Sequence, residues 1–512
     1  MMSDRPAGAR ESLRGSGKAA ILLSLSPPAD DPRVRRMGDY LHANGWRVIA
    51  IGTAGAKSPP PLWEVLEAVE PPIPERHAPT RFATLCRRFL KQKGRVTLED
   101  WKLLPILMRD ALILALGILP ALAASAVSAL AGVALLPVRP AWARRLLRLS
   151  GTLLNPVSTS KKVCAYGSLW LAVRSSGDAA DRELVRQHPI LAAMRGLVLK
   201  HGQQGIWIAN DWLMLPLAAE GAKAFRSVYV YDSHEFATQE FAERWDWRVF
   251  RQPLVKRVEG QYIDGARVLT AVSPSITEAL VKTYCFTGVA ATLRNMPAYQ
   301  EFQLRPVGAE VRVLYHGILA PHRGLEAAIQ ALSQWPDGFR LTIRGPGHAA
   351  YLEALLALAA KHGVSRRLVI EPPLPVCDLV KAASAHDVGL LALPGHSTHN
   401  AFALPNKVYE YMMAGLSLCL SDLPAMAEVV RTTGAGVLCG DGGPSALAKA
   451  MRSLTHERIN SMKANALEAA KKLHFDVDAE PIAHLYLEAL RQVQWTGDSQ
   501  GPAPLRPQRN AD

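Results

Sequence analysis

Cysteine is sparse, with six residues in 512, and Cys86, Cys164, Cys285, Cys377, Cys419 and Cys439 stand singly with no CxxC pair. That scatter excludes a disulfide framework and a cysteine zinc site, and it fits a reducing compartment. Acidic residues are also short: 45 Asp and Glu against 59 Lys and Arg give a formal net charge of +14. Anionic partners such as nucleotide phosphates, anionic lipid or nucleic acid are therefore favoured. No internal repeat or coiled-coil heptad stands out. The only Asp-x-Asp, Asp476 to Asp478, lies near the C-terminus. Near the N-terminus the apolar run AAILLSLS is too short for a signal-peptide core and reads as a buried strand.

What the chain does hold is alternation. Its length exceeds a single core and implies two or more domains. Ala19 to Ser26 reads as a strand, then a turn and a helix from about Pro32 to Asn44, then the strand WRVIAIG. The pattern resumes at IWIAND, SVYVYDSHE, RVLTAVS and ATLRNMP, and a second set runs through VRVLYHGIL, FRLTIRGPG, RLVIEPPL, VGLLALPG, LSLCLSD and GAGVLCG. Apolar strands alternating with helices predict α/β parallel sheets covered on both faces. The expected division is an N-terminal Rossmann-like domain over 19–297, a linker over 298–308 and a C-terminal domain over 309–478. A helix over 479–495 then returns to the N-terminal domain. Polar tails, 1–18 and 496–512, are expected to be disordered. Two doubly wound halves place a ligand cleft at the carboxyl ends of their strands.

Residues 58–201 interrupt the first half. The stretch opens Pro-rich, turns basic, and carries no charged residue from Ala111 to Val138; Arg139, Arg144, Arg145 and Arg148 follow. As one straight helix that run would be about 42 Å long. A single crossing is nevertheless implausible, because strands before and after it belong to one sheet and both flanks are basic. Folded at Pro120, neither arm reaches the roughly 20 apolar residues a span needs. A re-entrant or interfacial hairpin on an anionic membrane surface is the expectation. The alternative is a pair of Ala-rich helices packed on the protein itself. Nucleic-acid binding is disfavoured, because the positive charge gathers around an apolar insertion without interleaved stacking aromatics.

The chemistry concentrates in NAFALPNKVYEYMMAG, Asn400 to Gly415. It follows a strand and a polar loop, and its helix is expected to start at Pro405. A strand–loop–helix unit aims backbone N–H groups and the positive helix end into a cleft. Lys407 and Glu410 are three apart, so a cation and a carboxylate share one face near that end. Such a set suits a nucleotide sugar, with the cation on phosphate and the carboxylate on a diol.

In order and spacing these segments resemble the retaining glycosyltransferases of the GT-B fold, in the family 4 grouping known as glycosyl transferases group 1. The resemblance covers nearly everything except the insertion and the tails. It rests on DPRVRRMGDYLHANGWRV, ANDWLMLP, YDSHE, VSPSI and LRNMP in the first half. In the second half it rests on YHGILAPHRGLEAAIQAL and on SAHDVGLLALPG running into LPNKVYEYMMAGLSLCLSDLPAMAEVV. It implies two Rossmann-like domains facing across a cleft.

Carried over by position, Glu410 matches the second of the family's paired glutamates and would accept hydrogen bonds from ribose hydroxyls. The first, eight positions earlier, is replaced by Phe402, which leaves the sugar contacts to be met otherwise, by Asn400 or Asn406. Arg323, in PHRGLE, matches the basic residue that meets the diphosphate. The other usual basic position is Ile318. Gly317 would allow close approach of backbone to phosphate, with Lys407 and His316 alongside. His234 matches the histidine facing the donor sugar, and a satisfied core histidine is the alternative. Asp211, Asp232 and Glu235 are candidate acceptor-side groups or helix caps.

The implied reaction moves a sugar from a nucleotide diphosphate sugar to an acceptor hydroxyl with retained configuration, without cofactor or metal. With the insertion, the acceptor would be a glycan or a lipid-linked intermediate of cell-surface polysaccharide synthesis. The enzyme would then work in the cytoplasm, monotopic on the inner face of the membrane. A sugar-nucleotide 2-epimerase and a non-catalytic nucleotide-binding scaffold are the rival readings.

Overall fold

A computed structural model of the chain describes residues 18–69, 173, 179–245, 247–395 and 404–496. Among them the alternation becomes two parallel sheets. The first holds β1 (Ala19–Leu23), β2 (Arg47–Thr53), β3 (Glu64–Ala68), β4 (Ile206–Asn210), β5 (Val228–Ser233), β6 (Val268–Ala271) and β7 (Val289–Thr292). The second holds β8 (Val311–His316), β9 (Phe339–Arg344), β10 (Leu368–Glu371), β11 (Val388–Leu391), β12 (Ser417–Leu420) and β13 (Gly436–Leu438). Their orders are β3-β2-β1-β4-β5-β6-β7 and β10-β9-β8-β11-β12-β13. Each winds outward from its first strand, then restarts on that strand's other side. The reversal opens a crevice between β1 and β4, and between β8 and β11, at the carboxyl ends.

The strand sequences explain the layers. AAILL in β1 and IWIAN in β4 are buried at every position, as strands covered on both faces must be. The Pro32–Ala43 helix starts because Asp31 Oδ1 accepts from the backbone N–H of Arg33 and Val34, at 3.0 and 3.2 Å. Val34, Met37 and Leu41 form its inward stripe. Gly38 completes that face, because a β-carbon there would lie 2.5 Å from the Trp63 ring.

The Phe475–Thr496 helix returns to the first sheet. Phe475, Ala479, Ile482, Ala483 and Tyr486 recur at helical spacing and share a core with Val34, Ile208, Val230 and Val268. Asp478, half of the lone Asp-x-Asp, accepts a bidentate contact from Arg294 Nε and Nη2 at 2.8 and 2.6 Å. The segment leaving β7 is thereby anchored to this helix.

Two features fall inside the stretch read from sequence as insertion. β3 pairs in parallel with β2, and the Ile190–His201 helix lies against β2 and β3. The proline run before Trp63 hid the short alternation WEVLEA. Ile190–Arg248 belongs to the same compact unit as both sheets. The Ala111–Val138 run lies outside the described residues. Among those described, no helix is long and apolar enough to cross a membrane.

Candidate active site

At the carboxyl end of β8 the chain turns through Gly317, whose φ of +124° is a conformation side chains avoid. Lys407, on the Asn406–Met413 helix, runs across this glycine: an added β-carbon would meet its Cε at 2.5 Å and Nζ at 2.7 Å. The same ammonium lies 5.5 Å from the Tyr315 ring centroid, a cation–π distance. Burial, with Arg323 as a second cation nearby, lowers its pKa to about 8, against the opposing pull of Glu410 and Glu235. Arg323 is exposed, in the turn before the Leu325–Leu332 helix. That turn demands glycine at 324, where a β-carbon would meet the Ala392 carbonyl oxygen at 2.0 Å. Lys407 is thus held beside a bare glycine backbone and a helix N-terminus, with Arg323 within electrostatic reach, an arrangement suited to an anion. Asn406 opens the helix beside Lys407, and Pro405 stands just outside it in extended conformation.

One turn deeper, Glu410 is buried and held from two sides. Arg36 Nη2, from the Pro32–Ala43 helix, donates to its Oε1 at 2.9 Å. His316 Nε2 lies 3.0 Å from its Oε2. Burial alone would raise the carboxyl pKa, yet His316 and Arg36 bring it down to about 2. The group is therefore ionised at neutral pH and acts as acceptor only. The carboxylate read as free for a ribose is already oriented by two partners. Phe402 and Asn400 lie outside the described residues.

On the first sheet, Asn210 ends β4, Asp211 follows, and Ser233 ends β5 just before His234. Asp211 adopts a φ of 69°, a strained value for a non-glycine residue, worth roughly 1–3 kcal/mol. The strain turns its carboxylate toward His234, whose backbone N–H donates to Asp211 Oδ1 at 3.1 Å. The His234 ring is bracketed by Nδ1 to Asp211 Oδ2 and Nε2 to Asp232 Oδ2, both 3.5 Å. Asn210 Oδ1 is 3.3 Å from Nε2. With acceptors at both nitrogens the ring is an imidazolium. Burial opposes that charge, but Asp211 and Asp232 raise the pKa to about 9. Burial lifts Asp211 itself to about 6.

Asp232, read from sequence as an acceptor-side group, has another role. It is 1% exposed, and takes Arg33 Nε and Nη2 at 2.8 and 2.7 Å and the Thr270 hydroxyl at 2.6 Å. Burial acts to raise its pKa, but Arg33 and His234 hold its carboxyl well below the usual carboxylate range. It braces His234 from below. Glu235, half-buried, lies within electrostatic reach of both Asp211 and Lys407. Sequence reasoning missed Arg33 and Arg36. Their signal was two arginines three apart, hence on one helix face, just after a capping aspartate.

Two doubly wound sheets of this order, with cations and a carboxylate at their carboxyl ends, make a GT-B fold. Residues 310–457 match the family model of the glycosyl transferases group 1. A D-inositol 3-phosphate glycosyltransferase of Thermobispora bispora is 27% identical over 261 residues, 46% of this chain. The match spans 60% of that protein's length. A sucrose-phosphate synthase of Thermosynechococcus elongatus superposes with a TM-score of 0.59 at 14% identity, over 93% of this chain and all of that one. HepE of Anabaena, solved with UDP and glucose, gives 0.52 at 13% identity, over 94% of this chain and 100% of its own. At these identities the likeness is one of fold.

Proposed function

We propose that the protein is a retaining glycosyltransferase that moves a sugar from a nucleotide diphosphate sugar to an acceptor hydroxyl. The observation that carries this reading is the placing of Lys407 across the Gly317 backbone, one helical turn from the ionised Glu410 and with Arg323 within electrostatic reach. Bringing two cations together in a partly dehydrated pocket costs free energy that an anionic ligand would return. The diphosphate would take that place, with Asn406 and backbone amides beside it, and Glu410 would accept from the ribose.

No enzymic nucleophile is needed. The leaving phosphate would take the acceptor proton on the face it departs from. Lys407 and Arg323 would stabilise the charge that grows on it. His234, held as imidazolium, is unsuited to act as a base near neutral pH and would donate a hydrogen bond toward the sugar. Asp211 and Glu235 would line the acceptor side. Binding of UDP and glucose by HepE supports a nucleotide sugar as donor.

The uncharged Ala111–Val138 run with its basic flanks supports an acceptor presented at an anionic membrane surface, such as a lipid-linked glycan intermediate. The working site would be the inner face of the cell membrane. Deleting Ala111–Val138 should release a folded protein from membranes. If it stays wholly bound, the anchor reading is wrong. For the chemistry, NMR of the protein with candidate UDP-, GDP- and ADP-sugars and glycan or lipid acceptors should show a product whose anomeric configuration matches the donor. An inverted product, or a free 2-epimer formed without acceptor, would overturn the proposal.

A further inference from the structure

Arg36 joins three parts of the chain through one guanidinium. Nη2 donates to Glu410 Oε1 at 2.9 Å, and Nη1 to Asn295 O at 3.0 Å and to Asn295 Oδ1 at 2.7 Å. Its side chain is 10% exposed and that of Glu410 5%. Asn295 lies in the segment between β7 and β8, the link from one sheet to the other. The Pro32–Ala43 helix, the linking segment and the Asn406–Met413 helix are therefore fastened at one point. Arg294, next in the chain, is fixed separately by Asp478, so Asn295 has little freedom to follow Arg36 elsewhere.

An ionised carboxylate offers about four lone-pair positions. Arg36 occupies one on Oε1, whereas His316 Nε2 stands 3.0 Å from Oε2 as a close contact without hydrogen-bond geometry. An open position therefore remains on each oxygen, and a vicinal diol presents two hydroxyl donors side by side. We propose that Arg36 is the positioning residue for nucleoside recognition: it sets the rotation of the Glu410 carboxylate so that the open position on each oxygen meets a ribose diol, and it registers that contact on Asn295. The proposal rests on reading the cleft as a nucleotide-sugar site. The planar fork of arginine serves Glu410 and Asn295 at once; a lysine ammonium does not reproduce it.

The test is calorimetric titration of the full-length protein with UDP, GDP and ADP and with the 2′-deoxy form of each. Wild type should prefer a ribonucleotide over its deoxy form by tenfold or more, as expected for a hydrogen bond to a charged group. Arg36→Met should weaken ribonucleotide binding about tenfold and leave the deoxy form nearly unchanged, so the preference collapses. Arg36→Lys should restore little of it. Equal weakening of both forms would show that Arg36 merely supports the fold, and an intact preference would show that it has no part in recognition. Either result overturns the proposal. If Arg36→Met does not fold, Asn295→Ala decides: a reduced preference supports the proposal and an unchanged one overturns it. Failure of wild type to bind any of the six nucleotides removes the nucleotide-sugar reading itself, and this proposal with it.

Discussion

Lys407 lies against Gly317 so closely that a β-carbon on the glycine would sit 2.7 Å from the ammonium nitrogen. The missing side chain is what lets a cation and open backbone share one place. In Gly317→Ala the lysine tip, being flexible, would swing away, while the positive φ costs roughly 1–2 kcal/mol. We expect a modest loss in urea-unfolding stability and a loss of donor affinity of about tenfold or more. Full donor affinity in the alanine variant would show that phosphate does not approach this backbone.

Donor binding should also depend on pH through Lys407. Its pKa is lowered to about 8, so the free protein carries the charge below that pH and loses it above. Affinity for a nucleotide diphosphate sugar, whose phosphates do not titrate in this range, should be flat from pH 6 to 7.5 and fall steadily from pH 8 to 9.5. In Lys407→Met the profile should be weaker throughout and should lack this fall. A wild-type profile level to pH 9.5 would remove Lys407 from the diphosphate site.

Glu410 should contribute to stability with the opposite dependence. Its pKa is pulled down to about 2, below the value of an unfolded glutamate. The stabilisation is therefore present above about pH 4.5 and is lost as pH falls through 4.5 toward 2. Replacing it by Ala leaves Arg36 buried without its partner, which should cost about 3–5 kcal/mol. Urea midpoints of wild type and Glu410→Gln should differ clearly at pH 6, draw together below pH 4.5 and converge only near pH 2. A gap of constant size would mean the ion pair with Arg36 does not form in solution.

The architecture and one side of the site were legible in the chain. Strands such as AAILL and IWIAN announce burial on both faces, and LPNKVYEYMMAG carries its cation and carboxylate at helical spacing. β3 was not legible, because a short alternation behind three prolines looks like loop. Phe475 to Tyr486 showed helical periodicity, but only the fold shows that its partners are Val34 and Ile208, more than 250 positions away. The partners of the carboxylates were hidden for a similar reason. Asp232 and Glu410 look like free functional groups until Arg33 and Arg36 are brought onto them from a helix almost 200 and 374 residues distant. Local spacing encodes a helix face. It does not encode what that face meets.

His234 should titrate far from an ordinary histidine. Its pKa is raised to about 9 by Asp211 and Asp232 against the effect of burial. The stability it contributes is complete below about pH 6.5 and is lost as pH rises through 9. Long-range nitrogen–proton NMR should find one ring protonated at both nitrogens at pH 7.5. In Asp211→Asn its midpoint should drop by about one unit or more. A neutral His234 at pH 7.5 would return the residue to the role of a possible base.

The central claim is that Lys407, Arg323 and Glu410 form the grip for a nucleotide sugar. Thermal unfolding of the full-length protein against a panel of UDP-, GDP- and ADP-sugars tests it most directly, since a ligand bound by the folded state alone raises the midpoint by mass action. At least one donor should raise the wild-type midpoint in a concentration-dependent way, and Glu410→Ala and Lys407→Met should each abolish the shift. A wild-type protein that none of the donors stabilises, or a shift that survives undiminished in both variants, would contradict the account.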